Sequence, residues 1–248
     1  MSDKVLIMIP AYKRHESLAL CLSSLSTATE KDLFEIDVAI GINAPVEENK
    51  LVVEDVKSRF ESGTYKVRWR LYDRNIGKAE ALNDLLATFW ENHRYVLSMD
   101  SDMVIKKPWV NMLPYLDEMD YDIVGFGGTR FWSHSPNVNG EYQQAGLYRI
   151  YRRPNISGAL MLYSHKFLKD HKFGGYGGVY GGVDGYSCTL TDKKYVLFWD
   201  EDWIEHDTLK DSTPALRDYE NHKRAFFTQK IWSFPEGWDE MDISSIGK

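Results

Sequence analysis

The chain has 248 residues, of which 43% are hydrophobic and 27% charged, and it carries a formal net charge of −7 at pH 7. This composition is typical of a globular protein and excludes disordered and collagen-like chains. The acidic balance argues against broad, charge-driven binding to DNA or to an anionic membrane.

The spacing of the cysteines and the length of the apolar segments indicate the cellular compartment in which we expect the protein. Cys21 and Cys188 have no CxxC spacing, so they predict neither a disulfide framework nor a cysteine metal site. They fit a reducing compartment. No segment approaches the roughly 18 apolar residues that a membrane-spanning helix needs. We therefore expect a cytoplasmic protein with no integral membrane association.

Short strands alternate with helices over the first 100 residues. An uninterrupted apolar run at residues 5–9 predicts a strand buried on both faces. Apolar residues recur at helical spacing in 18–25 and alternate as in a strand over 34–42. The next predicted elements are a helix over 45–60, a strand over 67–71, a helix over 79–89 and a strand over 95–99. This order predicts an α/β fold with a Rossmann-like, mostly parallel twisted sheet and helices on both faces.

The pattern loosens after about residue 120. It predicts strands over 123–131, 158–163 and 195–199, a loop over 132–144, and a glycine-rich stretch over 174–182. We expect one domain over residues 1–248. Residues 1–115 would form its nucleotide-binding half, and residues 116–248 an acceptor-binding half with a smaller, mixed sheet.

The acidic pair Asp100 and Asp102 is the main candidate site. In a parallel sheet of this kind, ligands bind at the carboxyl ends of the strands. The two carboxylates follow a predicted buried strand, two positions apart, so they point the same way. Such a pair suits a hard divalent cation, and the cation suits a diphosphate. The same spacing recurs at positions 120/122, in an acidic and presumed solvated run, and at 200/202, which stays a rival.

Two further segments contain candidate binding residues. The strand-to-helix turn with Asn75, Gly77 and Lys78 would offer backbone N–H groups and a positive helix end to an anion, although an ordinary capped turn explains it equally well. Asp184 follows the glycine-rich stretch and opens a predicted helix. It is either a helix cap or a general base.

The remaining candidates are a histidine and a basic cluster. His206 is interesting only if it faces the same ion as Asp102, because a lone histidine is more often structural. Arg149, Arg152 and Arg153 form a solvated face by default, and alternatively hold a phosphate, whose geometry arginine matches.

Taken in order, these motifs resemble the family 2 type of glycosyltransferases with the GT-A fold, over roughly residues 4–210. Residues 5–14 resemble the opening strand and "IPxYNR" turn of the family, 73–83 its "N-x-G-x-a…N" segment, 95–102 its strand plus DXD, and 156–161 its "sGa" strand. The resemblance implies donor contacts from Pro10, Ala11, Tyr12, Arg14, Asn43, Asn75, Gly77, Lys78, Asn83, Asp100 and Ser101.

The resemblance also implies the catalytic and metal residues. Asp184 stands at the position of the catalytic base, and Asp102, Asp100 and His206 at that of the metal ligands. This placement puts the 200/202 pair just before His206 and favours Asp102 over it. Gly158 and the three arginines would serve the acceptor or a phosphate. Two residues depart from the family pattern: Asn43 replaces the aspartate that reads the uracil ring, and Val183 replaces a glutamate.

The resemblance predicts a metal-dependent glycosyltransferase that uses Mn²⁺ or Mg²⁺. It would move a sugar from a nucleoside-diphosphate sugar, with a UDP-sugar favoured, to an acceptor hydroxyl with inversion. The acceptor stays open between a small glycan, a protein and a modified nucleic-acid base. The alternatives are a sugar-phosphate nucleotidyltransferase and an inactive nucleotide- or glycan-binding protein of the same fold.

Overall fold

The computed structural model describes residues 3–27, 34–60, 65–127, 142–146, 148–153, 156, 159–175, 182–198 and 203–206, with the backbone alone at 59–60 and 205–206. The elements of the first half are β1 (Asp3–Tyr12), α1 (His15–Thr27), β2 (Phe34–Asn43), α2 (Glu47–Phe60), β3 (Tyr65–Tyr72), α3 (Lys78–Phe89) and β4 (Tyr95–Met99). This strict alternation of strands and helices confirms the predicted order.

The elements after β4 are shorter. They are β5 (Met103–Ile105), a 3₁₀ helix (Val110–Leu116), β6 (Ile123–Gly127), β7 (Tyr142–Ala145), β8 (Tyr148–Arg152), β9 (Leu160–Tyr163), α4 (His165–Asp170), α5 (Val183–Thr189), β10 (Lys194–Phe198) and β11 (Ile204–His206). In the described part of the chain, none of the helices combines the length and the apolar character that crossing a membrane requires.

One large sheet runs through both halves, with the strand order β3-β2-β1-β4-β9-β6-β10-β8-β7. The pairs among β1 to β4 are parallel, as is the pair of β6 with β10. In the described residues, only β8 and β9 run against the common direction of the other strands in this sheet. The predicted α/β class with a mostly parallel sheet is therefore confirmed.

Two features of the second half differ from the prediction. Its strands extend the large sheet, and the small separate sheet consists of β5 and β11. The predicted loop is wrong for residues 142–144, which belong to β7. This strand lies at the edge of the sheet and carries the polar and exposed sequence Tyr-Gln-Gln, so it lacks the apolar run that marks a buried strand.

The core has two layers because β1 is buried on both faces. Val5, Ile7 and Ile9 pack in the cluster that includes the apolar side of α1 and α2. Leu6 and Met8 belong to the opposite cluster, with residues of α3, α4 and α5. Each fully buried aliphatic side chain contributes about 1.5–3 kcal/mol relative to an exposed one. This packing fixes the carboxyl ends of β1 and β4 beside the amino end of α3.

Candidate active site

The acidic pair lies in the tight turn between β4 and β5. The Asp100 N–H donates to the Ala159 carbonyl, at 2.9 Å, and this bond ties the turn to the chain just before β9. The Cys21 thiol of α1 also lies 3.8 Å from the Asp100 carbonyl oxygen. The side chains of Asp100 and Asp102 are 29% and 20% exposed, so both carboxylates are accessible but mostly enclosed. Ser101, between them, is half-buried.

The turn after β1 places the Arg14 guanidinium against Asp102 of this pair. Lys13 and Arg14 both have left-handed backbone angles, with φ of 52° and 55°. Such conformations cost roughly 1 kcal/mol or more for each residue with a side chain. The Asn49 side-chain amide of α2 donates to the Lys13 carbonyl, at 3.3 Å, and helps to hold the turn. As a result, Arg14 Nη1 donates to Asp102 Oδ2 at 2.7 Å, from a side chain that is only 5% exposed.

A second cation comes from the first residue of α3. Lys78 Nζ lies 2.6 Å from Asp100 Oδ1 and 3.1 Å from Asp184 Oδ1. Burial lowers the pKa of Lys78, but the charges of Asp100 and Asp184 outweigh burial, and the net shift is upward. Burial raises the pKa of Asp100, against the lowering effect of Lys78, and the carboxylates of Asp184 and Asp102 raise it further. One ammonium thus links the acidic turn to α5.

The start of α3 is fixed by two asparagines. The Asn75 side-chain oxygen accepts from the Gly77 N–H, at 3.0 Å, in a local turn. Gly77 has φ of 87°, a conformation that glycine adopts without strain, and it caps the helix. The Asn43 oxygen, at the end of β2, accepts from the Ile76 N–H at 3.0 Å, and Asn43 is 2% exposed. In this structure Asn43 therefore supports the turn that carries Lys78.

Comparisons with known proteins identify the fold. No protein-family model and no curated protein matches the sequence. Among solved structures, the mannosyltransferase PcManGT from Pyrobaculum calidifontis, in complex with GDP-Man and Mn²⁺, is 16% identical, with a TM-score of 0.57 over 79% of this chain and 57% of its own. The chain therefore spans little more than half the length of that enzyme. The fold is that of the GT-A glycosyltransferases.

Two further structures agree. Residues 1–349 of TarS from S. aureus match 94% of this chain and 67% of their own, with 18% identity and a TM-score of 0.58. GalNAc-T7, in a structure with UDP, GalNAc and Mn²⁺, matches 83% of this chain and 44% of its own, with 12% identity and a TM-score of 0.57. The GT-A fold that the sequence motifs predicted is confirmed.

The acidic turn has the donor chemistry for a hard divalent cation, because Asp100 and Asp102 supply carboxylate oxygens of the kind such ions prefer. In the described ranges, no group of three or more His, Cys, Asp and Glu residues is placed to hold a metal ion. The His206 backbone pairs with Met103, directly after Asp102. Its side chain, and the rival positions 200 and 202, lie outside the described residues. The two carboxylates fit the predicted ion as its anchor.

The remaining donor candidates have mixed positions. Pro10, Ala11 and Tyr12 end β1, with Ala11 buried and Tyr12 in register with Asn43. The Lys13 ammonium lies 5.4 Å from the centre of the Tyr12 ring. Asn83 faces another way: its amide donates to the Phe173 carbonyl and accepts from the Phe173 N–H, at 2.8 and 2.9 Å. Its described contacts therefore join α3 to Phe173 in the second half of the chain.

The three arginines do not form one cluster. Three strands separate β8 from β4 in the sheet, which corresponds to about 19 Å at the usual strand spacing. The Arg149 and Arg153 guanidinium groups lie 5.6 and 5.7 Å from the ring centres of Tyr142 and Tyr151. Arg152 donates to the Asp192 carbonyl instead. The described contacts of these arginines therefore lie away from the acidic turn. Gly158 lies outside the described residues.

The sequence analysis missed Tyr163, which lies under the site. Its hydroxyl is 3.2 Å from Ser98 Oγ of β4, and its ring is fully enclosed. Burial raises the pKa of the Tyr163 phenol, Ser98 lowers it, the Asp184 carboxylate raises it and the Lys78 ammonium lowers it, and the net shift is upward. A tyrosine at the end of a buried strand has no distinctive sequence signal, and only the pairing of β9 with β4 brings it here.

Proposed function

We propose that this protein is a metal-dependent glycosyltransferase that moves a sugar from a nucleoside-diphosphate sugar to an acceptor hydroxyl with inversion. The observation that carries the proposal is the Lys78 ammonium, which contacts both Asp100 of the acidic turn and Asp184 of α5. Through this ammonium Asp184, which we propose as the base, lies close to Asp100, which we propose as a ligand of the cation. The GT-A fold supports the same reading, because its solved examples include structures with GDP-Man or UDP and with Mn²⁺.

The donor site would lie at the carboxyl ends of β1, β2 and β4, within residues 1–115. Arg14 brings a cation to these strand ends and already contacts Asp102 of the acidic turn. Asp102, with Asp100 and His206, would hold Mn²⁺ or Mg²⁺, which supplies neutralisation of the charge that develops on a leaving nucleoside diphosphate. We propose a UDP-sugar as the donor. The end of β1, with Tyr12, would contact the nucleoside.

The acceptor side would be formed by residues 116–248, in the same domain. Asp184, in the first turn of α5, would take the proton of the acceptor hydroxyl as the hydroxyl oxygen attacks the anomeric carbon. Attack on the face opposite the leaving diphosphate gives inversion. The Lys78 ammonium contacts this carboxylate at 3.1 Å and ties it to the start of α3. We propose a small glycan, a protein or a modified nucleic-acid base as the acceptor.

The proposal is tested by incubating the protein with a panel of UDP- and GDP-sugars and Mn²⁺ and measuring nucleoside diphosphate release. We expect release with at least one donor, loss of release with a chelator, and recovery on adding Mn²⁺ back. Formation of pyrophosphate from a sugar phosphate and a nucleoside triphosphate would indicate a nucleotidyltransferase instead. Tight nucleotide-sugar binding with no turnover, across an acceptor panel, would indicate a binding protein.

A further inference from the structure

Helix α3 binds Phe173, the residue directly before the glycine-rich stretch 174–182. The side-chain amide of Asn83 donates to the Phe173 carbonyl at 2.8 Å, and the Phe173 N–H donates to the Asn83 oxygen at 2.9 Å. The two bonds use the donor and the acceptor of one amide together, as a strand pair does with two backbone groups. Phe173 is 6% exposed, so water cannot readily replace these bonds. The pair joins two residues 90 positions apart.

Helix α3 also contacts Asp184, which lies two residues after the end of that stretch. Lys78, the first residue of α3, contacts Asp184 at 3.1 Å, and Asp184 is the second residue of α5. Gly174 and Tyr186, which lie close to these two anchored residues in the chain, also pack against each other. The backbone at Gly174 lies so close to the Tyr186 ring that a Cβ there would come within 2.5 Å of it. Hydrogen bonds, an ion pair and packing therefore connect residues 173–174 and the start of α5 to α3.

From this arrangement we propose that Lys78 and Asn83 are positioning residues for the acceptor side, fixing the Asp184 carboxylate relative to Asp100. The inference rests on the proposed function, and it reassigns two residues that the sequence motifs placed on the donor. A base must lie within about 0.5 Å of its productive position, and an error of 1 Å can cost roughly 100-fold in rate. A short helix that follows a glycine with φ of 73° needs such external support.

The first test separates positioning from donor binding at Lys78. We expect Lys78→Met to lower kcat by about 10- to 100-fold and to change the affinity for UDP or GDP, measured by calorimetry, by less than threefold. Lys78→Arg should recover most of the turnover, because it keeps the charge. Lys169→Met, on the exposed side of α4, is the matched control. Lost nucleotide affinity with unchanged kcat at saturating donor would overturn the inference and make Lys78 a donor residue.

A double variant tests whether Lys78 acts through Asp184. If the lysine works by placing this carboxylate, Lys78→Met should cost no further turnover in a protein that already carries Asp184→Asn. Full additivity of the two losses would overturn the proposal, because it would mean that the two residues act independently.

The second test addresses Asn83. Asn83→Ala should lower kcat/KM for the acceptor by about 10-fold with little change in nucleotide affinity. Asn83→Asp keeps an acceptor for the Phe173 N–H and loses the donor to its carbonyl, so hydrogen exchange of the Phe173 amide should accelerate only in the alanine variant. Glu80→Gln, an exposed position on the same helix, is the control. Unchanged acceptor kinetics in Asn83→Ala would exclude the positioning role.

A readout without turnover separates failure of this inference from failure of the proposed function. The Tyr186 N–H donates to the Gly182 carbonyl at 2.7 Å and reports on the first turn of α5. Its hydrogen exchange should accelerate in Lys78→Met and in Asn83→Ala and stay unchanged in Lys78→Arg. If the wild-type protein transfers no sugar, the proposed function fails and this result still stands. If exchange is the same in all variants, the positioning role fails whatever the activity.

Discussion

Arg14 donates from Nη1 to Oδ2 of Asp102 at 2.7 Å, which joins the end of β1 to the acidic turn 88 residues further along the chain. The contact depends on two successive left-handed residues, Lys13 and Arg14, which turn the chain sharply between β1 and α1. The Arg14 carbonyl then accepts the first α1 hydrogen bond, from the Leu18 N–H at 3.0 Å. The Arg14 guanidinium therefore fixes the Asp102 carboxylate, which we propose as a ligand of the cation.

This pair should be energetically coupled. Arg14→Met and Asp102→Asn should each lower the free energy of unfolding, and the double variant should lose less than the sum. We expect a coupling energy of about 1–3 kcal/mol from urea unfolding, because the guanidinium is enclosed and removal of one partner takes the 2.7 Å ion pair away from the other. The exposed pair of Lys50 and Glu47, at 3.2 Å, is the control and should give about 0.5 kcal/mol or less. An equal coupling energy in both pairs would mean that the enclosure of Arg14 does not strengthen its ion pair with Asp102.

Asp184 should be needed for turnover and not for donor binding. Asp184→Asn keeps the shape of the side chain and removes its capacity to accept a proton, so turnover should fall by about 10²–10⁴-fold. Nucleoside diphosphate affinity should change little in calorimetry. Asp170→Asn at the end of α4 is the control, and a normal rate in Asp184→Asn would remove this residue from the role of base.

Asp102 should set the metal requirement. Asp102→Asn loses a charged oxygen ligand, so a higher Mn²⁺ concentration should be needed for half-maximal nucleoside diphosphate binding. Asp120→Asn is a matched control, because Asp120 belongs to another Asp-x-Asp pair but is 79% exposed and contacts Lys193 at the surface. If Asp102→Asn has the Mn²⁺ dependence of the wild type, the cation is bound elsewhere, and the pair at 200/202 becomes the first candidate.

The strands of the first half could be predicted because their signal is local. Residues 5–9 are all apolar and all fully buried, so composition alone marks them. β8 was overlooked because its burial does not alternate strictly: Tyr148, Ile150 and Tyr151 are buried, whereas Arg149 and Arg152 are exposed. The edge strand β7 lacks even that pattern, since its first three residues are exposed.

The contacts within the site could not be predicted in the same way. Lys78 and Asp184 are 106 positions apart, and their contact arises because α3 and α5 lie on the same face of the sheet. The same holds for Asn83 and Phe173. A motif gives the type of residue at a strand end, but the partner of its side chain depends on which elements the sheet order brings together. The sequence therefore named several residues that the structure brings into contact, and it predicted none of their pairings.

Replacing Asn43 should lower the free energy of unfolding even in the absence of a ligand. Asn43→Ala leaves the Ile76 N–H without its acceptor in a buried environment, which should cost about 1–3 kcal/mol in urea unfolding. Because Ile76 is two residues before Lys78, which we propose as a positioning residue for Asp184, kcat should fall as well, with little change in nucleoside diphosphate affinity. Asn75→Ala, in the same turn, removes only a local bond and is the comparison. Unchanged stability in Asn43→Ala would show that the Ile76 bond contributes nothing.

The acid stability of the fold should depend on Asp37, in the amino-terminal part of β2 and away from the acidic turn. Its carboxylate lies 3.2 Å from His93 Nε2 and 3.7 Å from Arg68. Burial raises the pKa of Asp37, but the hydrogen bond and charge of His93 and the charges of Arg68 and Lys66 outweigh burial, so the net shift is downward from 3.8. A folded pKa below the unfolded one gives stability that is present above about pH 4 and lost as the pH falls through the folded pKa.

Asp37→Asn should therefore destabilise the protein by about 1 kcal/mol at pH 5, and its unfolding free energy should converge with that of the wild type toward pH 3. Urea unfolding of both proteins at the two pH values measures this directly. At pH 5 the wild-type carboxylate is ionised and attracts His93, Arg68 and Lys66, whereas the amide offers only a neutral acceptor. A gap of the same size at both pH values would mean that the lost contribution is packing, because a packing loss does not titrate.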